Sequence, residues 1–203
     1  MVEPVHVAII YYSSTGTIHT LAQAAAEGAG KAGATVRLRK VAETAPPEAV
    51  SAKPEWDRHL KDTADIAEAS HNDLDWADAV LFGTPTRYGN PASQLRAFID
   101  TTGPLWFQGK LADKVYSAFT SSSTAHGGQE STLLALANTF CHWGGIIVPP
   151  GYTDPIQFQS GNPYGTSHVA GDGPPGEVIL QAARHQARRV VDIAAYLRAG
   201  RAA

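Results

Sequence analysis

The chain is short of the features that most often declare a function. Its 203 residues include one cysteine, Cys141, so no internal disulfide can form. Cys141 lies in an apolar helical pattern, where a small buried hydrophobe is expected rather than a reactive thiol. No CxxC occurs, and the eight histidines at 6, 19, 59, 71, 126, 142, 168 and 185 include no i, i+4 pair, so the sequence offers no zinc site. No apolar run is long enough to span a bilayer, and the start, MVEPVHVAIIYY, has no basic n-region. A soluble cytoplasmic protein is therefore expected. With 16 Lys and Arg against 19 Asp and Glu, the net charge of -3 lacks the basic surplus that nucleic acid or an anionic membrane selects. Catalytic and nucleotide signatures are short as well: the GxSxG elbow of serine hydrolases is missing, and the loop after the first strand carries neither GxxxxGK followed by Ser or Thr nor GxGxxG.

What is present is a repeated alternation. Apolar content of 43% against 17% charged residues suits one globular domain spanning 1–203. Strand patterns at Val5–Tyr12, Thr35–Val41, Trp76–Gly83, Lys114–Ser121 and Ile146–Val148 are separated by helical patterns at Ile18–Ala32, Pro91–Thr102 and Glu130–Trp143. A long final helix is expected over Glu177–Ala199, with Ile179, Ala183, Gln186, Val190, Ile193 and Leu197 as its inner stripe. The alternation predicts an α/β fold: a doubly wound, five-stranded parallel sheet in the order 2-1-3-4-5, with helices on both faces. Such sheets take ligands beyond the carboxyl ends of their strands, at the switch between strands 1 and 3. Two segments exceed the minimal pattern. Thr44–Asp75 stands where a crossover helix belongs, expected over Glu55–Ser70. Pro149–Gly176 reads as a long Gly/Pro-rich loop of a functional or interfacial kind.

The first strand ends in Ser13-Ser14-Thr15-Gly16-Thr17, and a helix follows at once. Four of these five residues carry a hydroxyl and none is lysine. Uncompensated N–H groups at a helix start, with neutral hydroxyl donors, suit a terminal monophosphate. The third strand ends in Gly83-Thr84-Pro85-Thr86-Arg87-Tyr88-Gly89-Asn90, which brings successive N–H groups, one cation and one aromatic ring. These could line the edge of a flat ligand such as an isoalloxazine. The fourth strand runs into Ser121-Ser122-Ser123-Thr124-Ala125-His126-Gly127, small residues that pack around a ligand more readily than they make a hydrolase.

Taken together, YYSSTGTI, FGTPTRYGN, TGPLWFQGKL, GGQES, HWGGIIVPPGY and NPYGTSHVAGDG resemble, in order and over Val5 to about Leu197, the WrbA family of flavodoxin-like, type IV NAD(P)H:quinone oxidoreductases. The resemblance implies noncovalently bound FMN, NADH or NADPH as co-substrate, two-electron reduction of quinones to quinols by a ping-pong mechanism, and a homotetramer. It implies that Ser13, Ser14, Thr15, Gly16, Thr17 and Ile18 hold the ribityl phosphate, that Pro85, Thr86, Arg87, Tyr88 and Gly89 line the isoalloxazine, and that Ser122, Ser123, Thr124, Ala125, His126 and Gly127 complete the pocket. Trp106 resembles the aromatic wall of the substrate site. Thr15 stands where relatives often carry an aromatic residue in nicotinamide contact. His142 matches a histidine placed near the flavin and is the candidate for protonating the quinol. The bland alternatives are a core histidine at 142 and a core tryptophan at 106; the alternative for the whole chain is a flavodoxin-type electron carrier. The segments 46–75 and 120–127 are both longer than the family pattern.

Overall fold

The computed structural model describes residues 3–202. Strand β1 (His6–Tyr11) is apolar from Val7 on because it is buried on both faces, flanked in parallel by β2 (Thr35–Lys40) and β3 (Ala79–Arg87). Strands β5 (Val115–Ser122) and β6 (Ile146–Ile147) extend the sheet beyond β3, in the order β2-β1-β3-β5-β6. That is the expected order. Among the described residues two further strands join it, so the sheet has seven strands rather than five. Strand β4 (Asn90–Pro91) folds back antiparallel on the end of β3, and β7 (Ser167–Val169) pairs with the end of β5.

Helices cover both faces. On one, α1 (Thr17–Lys31) and α9 (Glu177–Ala202) bury Leu21, Ala25, Ala187, Val190 and Val191 against Val7, Ile9 and Leu81. The two helices approach closely because residue 28 is glycine: a Cβ there would lie 2.4 Å from the Arg184 carbonyl oxygen. On the other face, α4 (His71–Trp76), α5 (Ser93–Asp100), α6 (Gly103–Phe107) and α7 (Gln129–His142) pack Leu74, Leu95, Leu105, Leu136 and Phe140 on Ile10, Val80, Phe82 and Tyr116. The apolar stripe of α9 is thus consumed within the chain rather than left for a subunit interface.

Three local expectations are corrected. The crossover after β2 is not one helix over Glu55–Ser70 but α2 (Pro47–Ser51), α3 (Pro54–Asp62) and α4. Helix α3 stops where Thr63 turns its hydroxyl onto the His59 carbonyl, at 2.8 Å, and the following residues are captured by the open edge of β2 through Lys40 N–H to Ala67 O and Ala69 N–H to Lys40 O. The stretch Pro149–Gly176 is not an unstructured loop: it contains α8 (Pro155–Ser160), β7 and a 3-10 turn, Ala170–Asp172. Cys141 is exposed, not buried, because the inward side of α7 is set by Leu133, Leu136 and Phe140, and residue 141 lies a hundred degrees round from Phe140.

Candidate functional site

The carboxyl ends of β1, β3 and β5 open onto a polar cleft of about 200 Å³. Its walls are Ser13, Ser14, Thr15, Thr17 and Ile18 from the first loop, Pro85, Thr86 and Arg87 from the third strand, Ser121, Ser122 and Ser123 from the fifth, and Ala170. Gly16 sits at the N-cap of α1 in the left-handed region, φ 103°, and supplies no side-chain cap. Its own N–H donates to Ser13 Oγ at 3.1 Å, which folds the loop tight. The N–H groups of Thr17, Ile18 and His19 open the helix with no cap to satisfy them. Among the described residues, the hydroxyls of Thr15 and Thr17 have no hydrogen-bond partner either. Donors and the positive end of the helix dipole therefore converge on one point with nothing to neutralise them.

The opposite rim is held rigidly. The β3–β4 hairpin turns at Tyr88, which has φ 52° and a fully exposed side chain, and at Gly89. Thr86 Oγ1 accepts from Gly89 N–H at 3.1 Å and from Thr132 Oγ1 at 2.8 Å, so the hairpin is pinned to the first turn of α7. Arg87 is the only charged residue lining the cleft among the described residues, and its guanidinium reaches Ser14 Oγ across the opening at 3.4 Å. The expected loop here is thus an extension of β3 plus a hairpin. On the third side, Ser122 donates to Thr124 O and accepts from Gln129 Nε2, both at 2.7 Å.

Beneath the rim, Glu43 accepts from Tyr12 Oη (2.8 Å), Trp56 Nε1 (3.0 Å), Gln94 Nε2 (2.7 Å) and the N–H groups of Thr44 and Ala45. Burial alone would raise this carboxyl, yet its donors hold it below the ordinary glutamate value. The same burial, with Glu43 accepting its hydrogen bond, pushes the Tyr12 phenol well up, so it stays a neutral donor.

The expected site residues divide into three groups. Ser13, Ser14, Thr15, Thr17, Ile18, Pro85, Thr86, Arg87, Ser122 and Ser123 all line the cleft. Gly16, Tyr88, Gly89, Thr124, Ala125, His126 and Gly127 belong to the same loops without lining it. Trp106 and His142 stand apart. Trp106 is 55% exposed and donates its indole N–H to the His142 carbonyl at 2.9 Å, so the two are neighbours. His142 ends α7, whose 14 residues put it about 20 Å from the cleft end of that helix. Both are exposed, and neither is a core residue.

Sequence reasoning missed Ala170; Ser121, read among the ligand-packing residues at the end of the fourth strand, does line the cleft. Ala170 carries no polar group and reaches the cleft only because β7 registers His168 against Ser121 and Val169 against Ser122. Gly171 then packs against the chain at Ser123, where a Cβ would lie 2.5 Å from the carbonyl oxygen.

The profile of the NADPH-dependent FMN reductase family matches residues 5–156. A protein named NAD(P)H dehydrogenase (quinone) from Deinococcus radiodurans is 50% identical over 97% of this chain and 99% of its own length. One of the same name from Azorhizobium caulinodans is 44% identical over 94% and 98%. Among solved structures, the flavodoxin, WrbA-like protein from Agrobacterium tumefaciens superposes with a TM-score of 0.67 at 26% identity, covering 95% of this chain and 98% of that one. An archaeal flavodoxin, at 16% identity and a TM-score of 0.62, shares the fold. The segments these relatives share include all three strand ends that build the cleft, and on that extent of likeness the chain belongs to the WrbA family of flavodoxin-like NAD(P)H dehydrogenases (quinone) within the FMN reductases.

Proposed function

We propose that the chain, as one flavodoxin-like domain over residues 1–203, is an FMN-dependent NAD(P)H dehydrogenase (quinone) that works in the cytoplasm. The observation that carries this reading is the uncapped, hydroxyl-rich N-terminus of α1 facing the Arg87 rim. The donor set fits FMN: a phosphate monoester is satisfied by N–H groups and neutral hydroxyls. Thr15, Thr17 and the N–H groups of Thr17 and Ile18 would hold the phosphate. Thr86 and Arg87, with Pro85, Tyr88 and Gly89, would border the isoalloxazine, and Ser122 through Gly127 would close the third side. When bound, FMN supplies a two-electron store that NAD(P)H fills by hydride transfer and a quinone empties.

This chain's own part is to bind, orient and exclude. Arg87 places a fixed cation at the ring edge, where reduction leaves negative charge. The pinned Thr86 keeps that edge at one distance from α7. NAD(P)H and quinone use one exposed place in turn, which gives ping-pong kinetics. Trp106 and His142 cannot reach the cleft of their own chain, but both are exposed and adjacent. We place them at the site of a neighbouring copy in a homotetramer, Trp106 walling the quinone and His142 delivering its proton. Exposed Tyr88, Trp106, Phe107 and Leu134 support that assembly.

Initial rates with FMN-loaded protein, NADH or NADPH, and benzoquinone test the reading. Parallel double-reciprocal lines are expected. Intersecting lines would remove the shared site, and no turnover without an added protein partner would return the chain to the electron-carrier class. Light scattering tests the tetramer: a stable 21.5 kDa monomer with full activity would exclude it.

A further inference from the structure

The crossover between β2 and β3 runs through three short helices and carries a histidine to the back of the cleft. The His59 ring, on α3, lies against Gly16: its Nδ1 is 3.6 Å from where a Gly16 Cβ would be. A narrow crevice lined by Tyr11, Tyr12, Ser13, Lys40, His59 and Thr63 shares Ser13 with the cleft itself. One layer of backbone therefore separates His59 from the loop that takes the phosphate. That loop has no lysine, and among the described residues the cleft has no cation but Arg87 on the far rim.

We propose that His59 is the second cation of the cofactor site: it takes up a proton as FMN binds, and its charge, acting through the Gly16 turn, tightens the hold on the phosphate as the pH falls. The proposal rests on the FMN reading above and concerns His59 as a positioning residue, since it does not touch the phosphate.

Each element packed against His59 contributes a group. From α1, His19 faces it with ring centroids 5.5 Å apart. From β1, Tyr11 Oη is engaged with His19 Nδ1 at 2.6 Å. From β2, Lys40 points at the same crevice, its ammonium held by the Thr63 carbonyl. Glu43 lines the crevice further along, already saturated with donors. Asp62 stands three residues on in α3, and Asp65 follows it nearer His19. Tyr11 is no competing acid, because burial pushes its phenol far up. Burial first, then His19, lowers His59 below the ordinary histidine value; Asp62 pulls upward, and Lys40 adds a smaller downward push. His19 is lowered too, by burial and Lys40 against Asp65. In the free protein both rings are thus biased towards the neutral form.

His59 rather than His19 is placed to respond. The His19 ring is committed to Tyr11, whereas the His59 ring makes no hydrogen bond among the described residues. A phosphate dianion beyond Gly16 favours the charged imidazole, raising the lowered value towards or past its ordinary one. The sign follows from linkage: a ligand that raises a site's proton affinity binds with proton uptake, so its own affinity rises as the pH drops. His19, carrying like charge if protonated, limits the pair to one proton.

The test is flavin binding to apoprotein, followed by quenching of flavin fluorescence, with FMN and with riboflavin, which lacks the phosphate. Between about pH 8 and about pH 6.5, a range that keeps the FMN phosphate largely dianionic, the FMN Kd should fall roughly five-fold more than the riboflavin Kd. His59→Gln should bind FMN with the Kd the parent shows at the alkaline end and remove the pH dependence. His59→Lys should keep tight binding at the alkaline end. Ring nitrogen NMR of His59 should move towards the protonated shift on addition of FMN and not of riboflavin. An unchanged FMN pH profile in His59→Gln, or a His59 ring indifferent to FMN, would overturn the proposal while leaving FMN as cofactor. Absence of FMN binding at every pH would instead overturn the cofactor assignment on which it rests.

Discussion

Thr15 and Thr17 are the sharpest handles on the phosphate assignment. Replacing both with glutamate puts two carboxylates where the phosphate dianion would sit, and repulsion in a partly dry cleft costs several kcal/mol, roughly. The double variant should purify colourless and still melt cooperatively; a yellow double variant would refute the assignment. Trp106→Ala separates site from core. A buried tryptophan would lose on the order of 3–5 kcal/mol on truncation. At 55% exposure, with one hydrogen bond to the His142 carbonyl, the loss should stay near about 1 kcal/mol, read as a small shift in Tm. Quinone kcat/KM should fall by up to about ten-fold, the size of one aromatic stacking contact. A large Tm drop with unchanged kinetics would remove Trp106 from the site. Single residues were legible where chemistry and position coincide. Ser13 to Ile18 announce themselves as hydroxyls and a glycine between a strand and a helix. Ala170 has no chemistry to announce, and the nearness of His59 to Gly16 exists only once α3 has folded back across 43 residues of chain.

At the scale of elements, the contact between α1 and α9 hangs on one missing side chain. Gly28→Ala would set a methyl 2.4 Å from the Arg184 carbonyl, so α9 must lift or slide. Overpacking of this kind costs about 1–3 kcal/mol. Urea unfolding should show a lower midpoint with an unchanged m-value, and FMN affinity close to the parent's, since the contact lies at the far end of α1 from Gly16. An unchanged midpoint would mean the helices separate freely. The periodic elements β1, β3, β5, α1, α7 and α9 could be read from sequence because each buries a continuous apolar face. The crossover could not. Helix α3 has no fully buried residue, and its end is set by the bonds that the β2 edge makes to Ala67 and Ala69. Strand β7, three residues long, exists only through its partner β5, and no local pattern specifies so short a strand.

For the whole molecule, stability should be acid-sensitive well above the carboxylate range. Burial first lowers His19, His59 and His185 below their ordinary value, so the folded chain binds fewer protons there than the unfolded one. Their contribution is fully present above the unfolded value, about 6.5, and is lost as the pH falls below it. Without FMN, the urea midpoint should be lower at about pH 5.5 than at about pH 7.5, ahead of any loss from Glu43 or Asp73, whose lowered values act only near pH 4, roughly. Equal midpoints would contradict the partial burial of the three rings. The sheet order was legible from strand-helix alternation alone. The relation of one copy to another was not, because α9, the most apolar candidate for an interface, spends its stripe on α1.

The joining of β7 to β5 also sets a timetable. The cleft needs Ala170, and the layer that backs α1 needs α9, both from the last fifth of the chain. Residues 5–156, the part the FMN reductase profile matches, contain all three strand ends that wall the cleft and lack only Ala170. During synthesis the first strands emerge early, but the first helix waits for the final one before its apolar side is covered. Cofactor should therefore be held firmly only once the segment carrying Ala170 and α9 has joined the fold. A chain stalled on the ribosome before residue 167 should retain little FMN, and flavin supply should govern how fast newly finished chains become resistant to proteases.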